Sequence, residues 1–103
     1  MSIVEEIGAP RQGAAARLAV EGEMTIYRAA ELWPALLETV HAAAAPALDL
    51  ANVAEFDSAG LQLLLAARRE AARLGKTLAV TAASPAVAEV FALLGMTIEG
   101  DFA

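Results

Sequence analysis

Apolar and polar positions alternate from Leu48 through Leu50 towards Val53, and from Leu61 onward the apolar spacing lengthens to three and four. A period of two marks a half-buried strand and a period near 3.6 an amphipathic helix. The change falls across Glu55-Phe56-Asp57-Ser58, which reads as a tight connection from a strand, expected over residues 47–53, into a helix. That second helix buries Leu61, Leu64, Leu65, Ala72 and Leu74, turns Gln62, Arg69, Glu70 and Arg73 outward, and ends at Gly75. Upstream, residues 17–21 form a short strand closed by Gly22, and residues 24–27 alternate as a second strand or an approach to a helix. Trp33, Leu36, Leu37, Val40 and Ala44 then recur at helical spacing. Proline is tolerated only near the first turn, so Pro34 sets the start of this first helix at residues 31–33. Pro46 separates it from the central strand. Downstream come a strand over 77–81, a helix opened by Ser84-Pro85 with Val87, Val90, Phe91 and Leu94 as its stripe, a stop at Gly95, and a last short strand over 96–99. Residues 1–15 lack a period and read as an arm or irregular edge segment; residues 16–103 read as one domain. The order β-β-α-β-α-β-α with short connections predicts an α/β sheet carrying helices on one face.

Composition narrows the class. One hundred and three residues can bury a core without metal or disulfide, and there is no cysteine to supply either. The hydrophobic share is 58%, but much of it is alanine, and no apolar run approaches the roughly 20 residues of a membrane span. The start of the chain lacks the pattern of a signal peptide, so a cytoplasmic protein without direct membrane insertion is expected. A net charge of −6 argues against binding nucleic acid, which calls for clustered lysine and arginine.

Candidate chemistry centres on Ser58. A serine at a helix start is commonly an N-cap, and Asp57 before it either orients that hydroxyl or caps the helix itself. The same place receives anions, so a phosphate esterified to Ser58 would be partly compensated by the helix dipole while adding charge beside Asp57 and Glu55. His41, the sole histidine, lies late in the first helix with no triad or metal-ligand spacing around it and reads as structural. There is no P-loop, so any phosphoryl donor must be bound elsewhere, and with no cysteine, no triad and no His/Cys/Asp/Glu cluster at metal-ligand spacing neither catalysis nor a cofactor nor a metal is expected. Trp33 and Tyr27 read as packing residues or as an aromatic binding face. Arg68, Arg69, Arg73 and Lys76 crowd the end of the second helix, either complementing its dipole or docking an acidic partner helix.

The run Leu48 to Leu61 with Asp57-Ser58-Ala59-Gly60-Leu61 at its end, then Gly75-Lys76-Thr77-Leu78 and Ser84-Pro85 to Leu94-Gly95, resembles the STAS domain family. This is the domain of anti-sigma factor antagonists and of sulfate transporter tails. The likeness runs from Arg17 to Met96 and implies a small mixed β-sheet with helices packed on one face. In the antagonists the residue after the motif aspartate, here Ser58, is phosphorylated by a partner anti-sigma factor that is itself a serine kinase. The unmodified form binds that partner and frees the sigma factor, so the domain is an adaptor in transcription regulation and not a catalyst. The resemblance places Asp57, Ala59, Gly60 and Leu61 in the motif, and Glu23, Thr25 and Tyr27 in the partner-facing stretch; Arg69 and Arg73 are docking candidates from the basic end of the second helix instead. Three departures stand out. Ala59 replaces a second hydroxyl, Gly22-Glu23-Met24-Thr25 lacks the usual aspartate, and Arg28-Ala29 stands where Thr-Ala is common. The same motif also resembles the STAS subunit of a bacterial ABC system for phospholipid transport, which docks on its ATPase. Thr25-Ile26-Tyr27 with Ala29-Ala30-Glu31-Leu32 resembles an accessory STAS protein of chemotaxis-type signalling, whose partner is a histidine kinase.

Overall fold

The computed structural model describes residues 15–97. Three strands, β1 (Ala15–Met24), β2 (Ala45–Phe56) and β3 (Ala79–Ala83), form a parallel sheet in the order β1-β2-β3. The helices α1 (Ala29–Ala42), α2 (Ser58–Arg73) and α3 (Pro85–Leu93) alternate with them, since parallel neighbours need a crossover long enough to hold a helix. Ala16, Leu18, Val20 and Met24 of β1 and Pro46, Leu48 and Leu50 of β2 are buried, while Arg17, Ala19 and Glu21 are exposed. Alternation along the strands therefore gives one face to the helices. Leu32, Leu36 and Val40 from α1, Leu61 and Leu64 from α2, and Val87 and Phe91 from α3 close the same core. The α/β class and the packing of helices on a small sheet are those expected; the described strands are all parallel.

Several boundaries differ from the sequence reading. The two short strands expected over 17–21 and 24–27 are one strand, β1, followed by a 3₁₀ turn over Ile26–Arg28. Gly22 interrupts the ladder without ending the strand: its φ of +79° suits glycine, and the β1–β2 register slips beside it. A second slip, between Ala19 and Glu21, lies opposite Asp49 to Asn52 and moves the buried position of β2 from Leu50 to Val53. Helix α1 starts at Ala29, before the expected 31–33, and holds Pro34 in its interior. The backbone bond that Pro34 cannot donate would have gone to Ala30, and both residues are exposed, so water can serve that carbonyl. Ala44 lies beyond the helix. Strand β2 includes Pro46, tolerated because pairing with β3 begins only at Ala47. Strand β3 sits two residues later than expected.

On α2 the buried stripe passes through Gly60, Leu61, Leu64, Ala67 and Ala71. Ala72 and Leu74 are exposed, because the 3.6-residue period carries the apolar face onto the smaller alanines. Gly75, at φ +75°, closes α2 in a Schellman motif: Lys76 N–H donates to the Ala71 carbonyl (2.8 Å) and Gly75 N–H to that of Ala72 (3.0 Å). Ser84 caps α3 with Pro85 behind it, as expected. Met96 and Thr97 are not in a strand; the rest of the short strand expected over 96–99, and the arm expected over the first residues, fall outside the described residues.

Candidate functional site

Asp57, not Ser58, is the N-cap of α2. Its Oδ1 accepts the backbone N–H groups of Ala59 (2.9 Å) and Gly60 (3.1 Å). Ser58 is the first helical residue, exposed, and its hydroxyl bonds to no described residue. The cap role expected for Ser58 belongs to its neighbour, whose carboxylate reaches two orphan donors where a hydroxyl would serve fewer. The compensation expected for a phosphate shrinks accordingly, since two of the N–H groups it would have sought already carry an anion.

Gly60 explains the motif from the packing side. A methyl group built there would overlap the Met24 carbonyl oxygen and lie 2.8 Å from Phe56 Cε1. Only glycine lets the first turn of α2 press against the end of β1. That contact fixes Ser58 and Ala59 beside the 3₁₀ turn. Leu61 then enters the core. Asp57, Gly60 and Leu61 are thus anchors of the helix start, and Ser58 and Ala59 are what that start presents outward.

The stretch before α1 is held by a small polar network. Thr25 is buried; its Oγ1 accepts Tyr27 N–H (3.3 Å) and donates to Glu23 Oε1 (3.1 Å). Arg28 reaches back to donate to the carbonyls of Glu21 (2.7 Å) and Glu23 (2.8 Å), and pairs with Glu31 at 3.2 Å. Tyr27 is left 89% exposed and Ile26 66% exposed. Glu23 lies opposite Glu55 in the β1–β2 register, so carboxylates gather on the strand ends that lead into Asp57 and Ser58.

A groove of about 440 Å³ runs between this turn and α2. Ile26, Ala29 and Trp33 form one wall; Ala59, Leu63 and Ala66 form the other, with Gln62 and Arg69 as its polar members. Trp33 packs partly against the core and partly lines this groove, which joins the two readings of that residue. A second depression of about 320 Å³, between β3 and α3, shares no residue with it.

Ala59 and Arg69 line the one groove from opposite ends of α2, Ser58 adjoins Ala59 at the helix start, Thr25 and Tyr27 belong to the turn beside it, and Arg73 lies outside the lining. Arg73 pairs with Glu70 (2.7 Å), and Glu70 also takes a hydrogen bond with His41 Nε2 (2.7 Å) from the end of α1. The Glu70 carboxyl is pulled down to about 2, first by Arg73 and then by His41, and its presence holds the Arg73 guanidinium above its ordinary value. Lys76 Nζ donates to the Val40 carbonyl (2.8 Å), so this end of α2 ties down the last turn of α1. These basic residues do structural work, and His41 shares in it.

The sequence reading missed Arg28 as a clamp, Glu70 as a hub, and the groove residues Ile26, Ala29, Leu63 and Ala66. Arg28 and Glu70 each carry an opposite charge three residues on, a legible helical signal. The groove had none, because its two walls come from different parts of the chain.

Among the described residues no cluster of histidine, aspartate and glutamate is placed to hold a metal ion, and no helix is long and apolar enough to cross a membrane. No curated protein matches the chain. The family described as "Mlab, STAS domain" matches it over residues 7–98, nearly its whole length. The chain therefore belongs to the STAS domain family.

Proposed function

We propose that this protein is a non-catalytic regulatory module of the cytoplasm that docks a protein partner along the α1–α2 groove, with phosphorylation of Ser58 as its control. STAS domains generally mediate protein–protein interactions and are generally non-catalytic. The observation that carries the reading is the division of labour at the start of α2. Asp57 caps the helix, which leaves the Ser58 hydroxyl uncommitted and exposed next to Ala59 on the groove wall. A partner kinase, an anti-sigma factor or histidine kinase system among them, can reach that hydroxyl without unfolding the helix. A phosphate there adds about two negative charges beside Asp57, whose carboxylate already occupies the nearest donors. The modification would thus repel an acidic partner surface, or desolvate badly in an apolar one, rather than strengthen the helix. Binding of the cognate partner should survive Ser58→Ala and fall by two or more decades for Ser58→Asp, a few kcal/mol. Equal binding by both variants and the parent would remove phosphorylation control.

A second reading, docking on the ATPase of a phospholipid-transporting ABC complex with Ser58 unmodified, draws on the same cap. With both donors held by Asp57, the site offers a phosphate little stabilisation, and Ser58 serves equally well as a plain hydroxyl contact. Mass spectrometry of the protein purified from its own cells separates the two. Phospho-Ser58 with a soluble kinase supports the first; an ABC ATPase with unmodified Ser58 supports the second.

A further inference from the structure

We infer that the groove takes an amphipathic α-helix of the partner, about three turns long, with a carboxylate seated at Arg69. This rests on the docking reading but not on phosphorylation.

The helical form follows from what the groove lacks. Its lining comes from the 3₁₀ turn, α1 and α2, with no strand among them. An extended segment laid there would find no free ladder, and its backbone N–H and C=O groups would be desolvated against Ile26, Trp33 and Leu63 with few partners. That costs on the order of a lost hydrogen bond for each group. A helix satisfies its own backbone and presents only side chains. Small residues on both walls, Ala29 on one and Ala59 and Ala66 on the other, let another helix approach closely. From Ala59 to Arg69 the wall covers ten helical rises of α2, or about 15 Å, which matches about three turns of a partner.

The charge follows from the cation that lines the groove. Arg28 is paired with Glu31 and Arg73 with Glu70, while Lys76 is bonded to a carbonyl. Arg69 lines the groove and forms no ion pair or hydrogen bond with a described residue. Among the described residues no carboxylate lines the groove, although the chain as a whole carries a net charge of −6. An incoming Asp or Glu at that end meets a cation and no competing acid, whereas an incoming Lys or Arg meets Arg69 unscreened.

The test selects displayed random peptides of about 14 residues on the full-length chain, with counter-selection against Ala66→Arg, which fills the groove from an outward helix position. Circular dichroism checks that Ala66→Arg remains folded, and Ala29→Arg, on the opposite wall, serves as a second blocking variant. The expected winners carry apolar residues at i, i+3 or i+4, and i+7, with an acidic residue at one end and no interior proline. The best of them should bind about tenfold more weakly to Arg69→Glu and within about twofold of the parent for Arg73→Glu. Winners without helical period, winners with a basic residue at the end, or none that distinguish the parent from both blocking variants would overturn the inference. Ser58 takes no part in this selection, so its failure leaves phosphorylation control standing. Loss of that control would in turn leave the selected helices unaffected.

Discussion

Asp57→Ala leaves the N–H groups of Ala59 and Gly60 without their acceptor and should cost about 1 kcal/mol of stability in urea denaturation. Ser58→Ala should stay within about 0.5 kcal/mol of the parent, because an exposed hydroxyl with no described partner holds nothing in place. The contrast between neighbours is itself a test: a larger loss at Ser58 than at Asp57 would return the cap to Ser58. Gly60→Ala forces a methyl group onto the Met24 carbonyl and the Phe56 ring and should destabilise by about 1–3 kcal/mol. Both contacts are rigid, one backbone and the other a ring stacked on Phe91, so little relief is available. The same substitution should weaken partner binding beyond its effect on stability, since it shifts Ser58 and Ala59 away from Ile26.

At the scale of elements, α2 is seated at its start by the Gly60 approach to the ends of β1 and β2, and is joined at its far end to α1 by His41, Glu70 and Lys76. The Glu70 carboxyl lies at about 2 in the fold against an ordinary value of 4.5. A carboxyl depressed by folding contributes stability that is complete above its unfolded value and is lost as pH falls through the folded one. Glu70→Gln should therefore differ most from the parent above pH 4.5, and the difference should close as pH falls towards 2. Added salt should narrow it, because these groups face water. A constant difference across that range would contradict the ion-pair account. Elements of this kind were largely legible in the sequence. The change of period at Asp57-Ser58, the Ser84-Pro85 start and the Gly75 and Gly95 stops are local signals with local causes. The errors lay where tertiary structure overrides a local rule: Gly22 was read as a strand end but accommodates a bulge, and Pro34 was read as a helix start but sits on an exposed turn. Of the site, the motif and the place of Ser58 at the helix start were legible. The groove was not, because Ala29, Trp33, Leu63 and Ala66 become neighbours only when Gly60 lets α2 close on β1.

The whole molecule sets the proposed docking groove beside a core that spans one face of the sheet. Leu50, fully buried beneath the helices, should cost about 2–5 kcal/mol as Leu50→Ala without altering which partner is bound, whereas Ala66→Arg should do the reverse. Under the proposed phosphorylation, a chain of net charge −6 would gain further charge at Ser58, beside Asp57 and near the Glu23–Glu55 pairing. The most direct measurement is quantitative affinity purification from the protein's own cells, comparing the parent with Ser58→Ala, Ser58→Asp and Ala66→Arg at matched expression. The account predicts one shared partner, retained by the parent and Ser58→Ala and lost from both Ser58→Asp and Ala66→Arg. Recovery of the same partner at the same level by all four proteins would contradict it, and would move the docking surface away from the groove and Ser58 altogether.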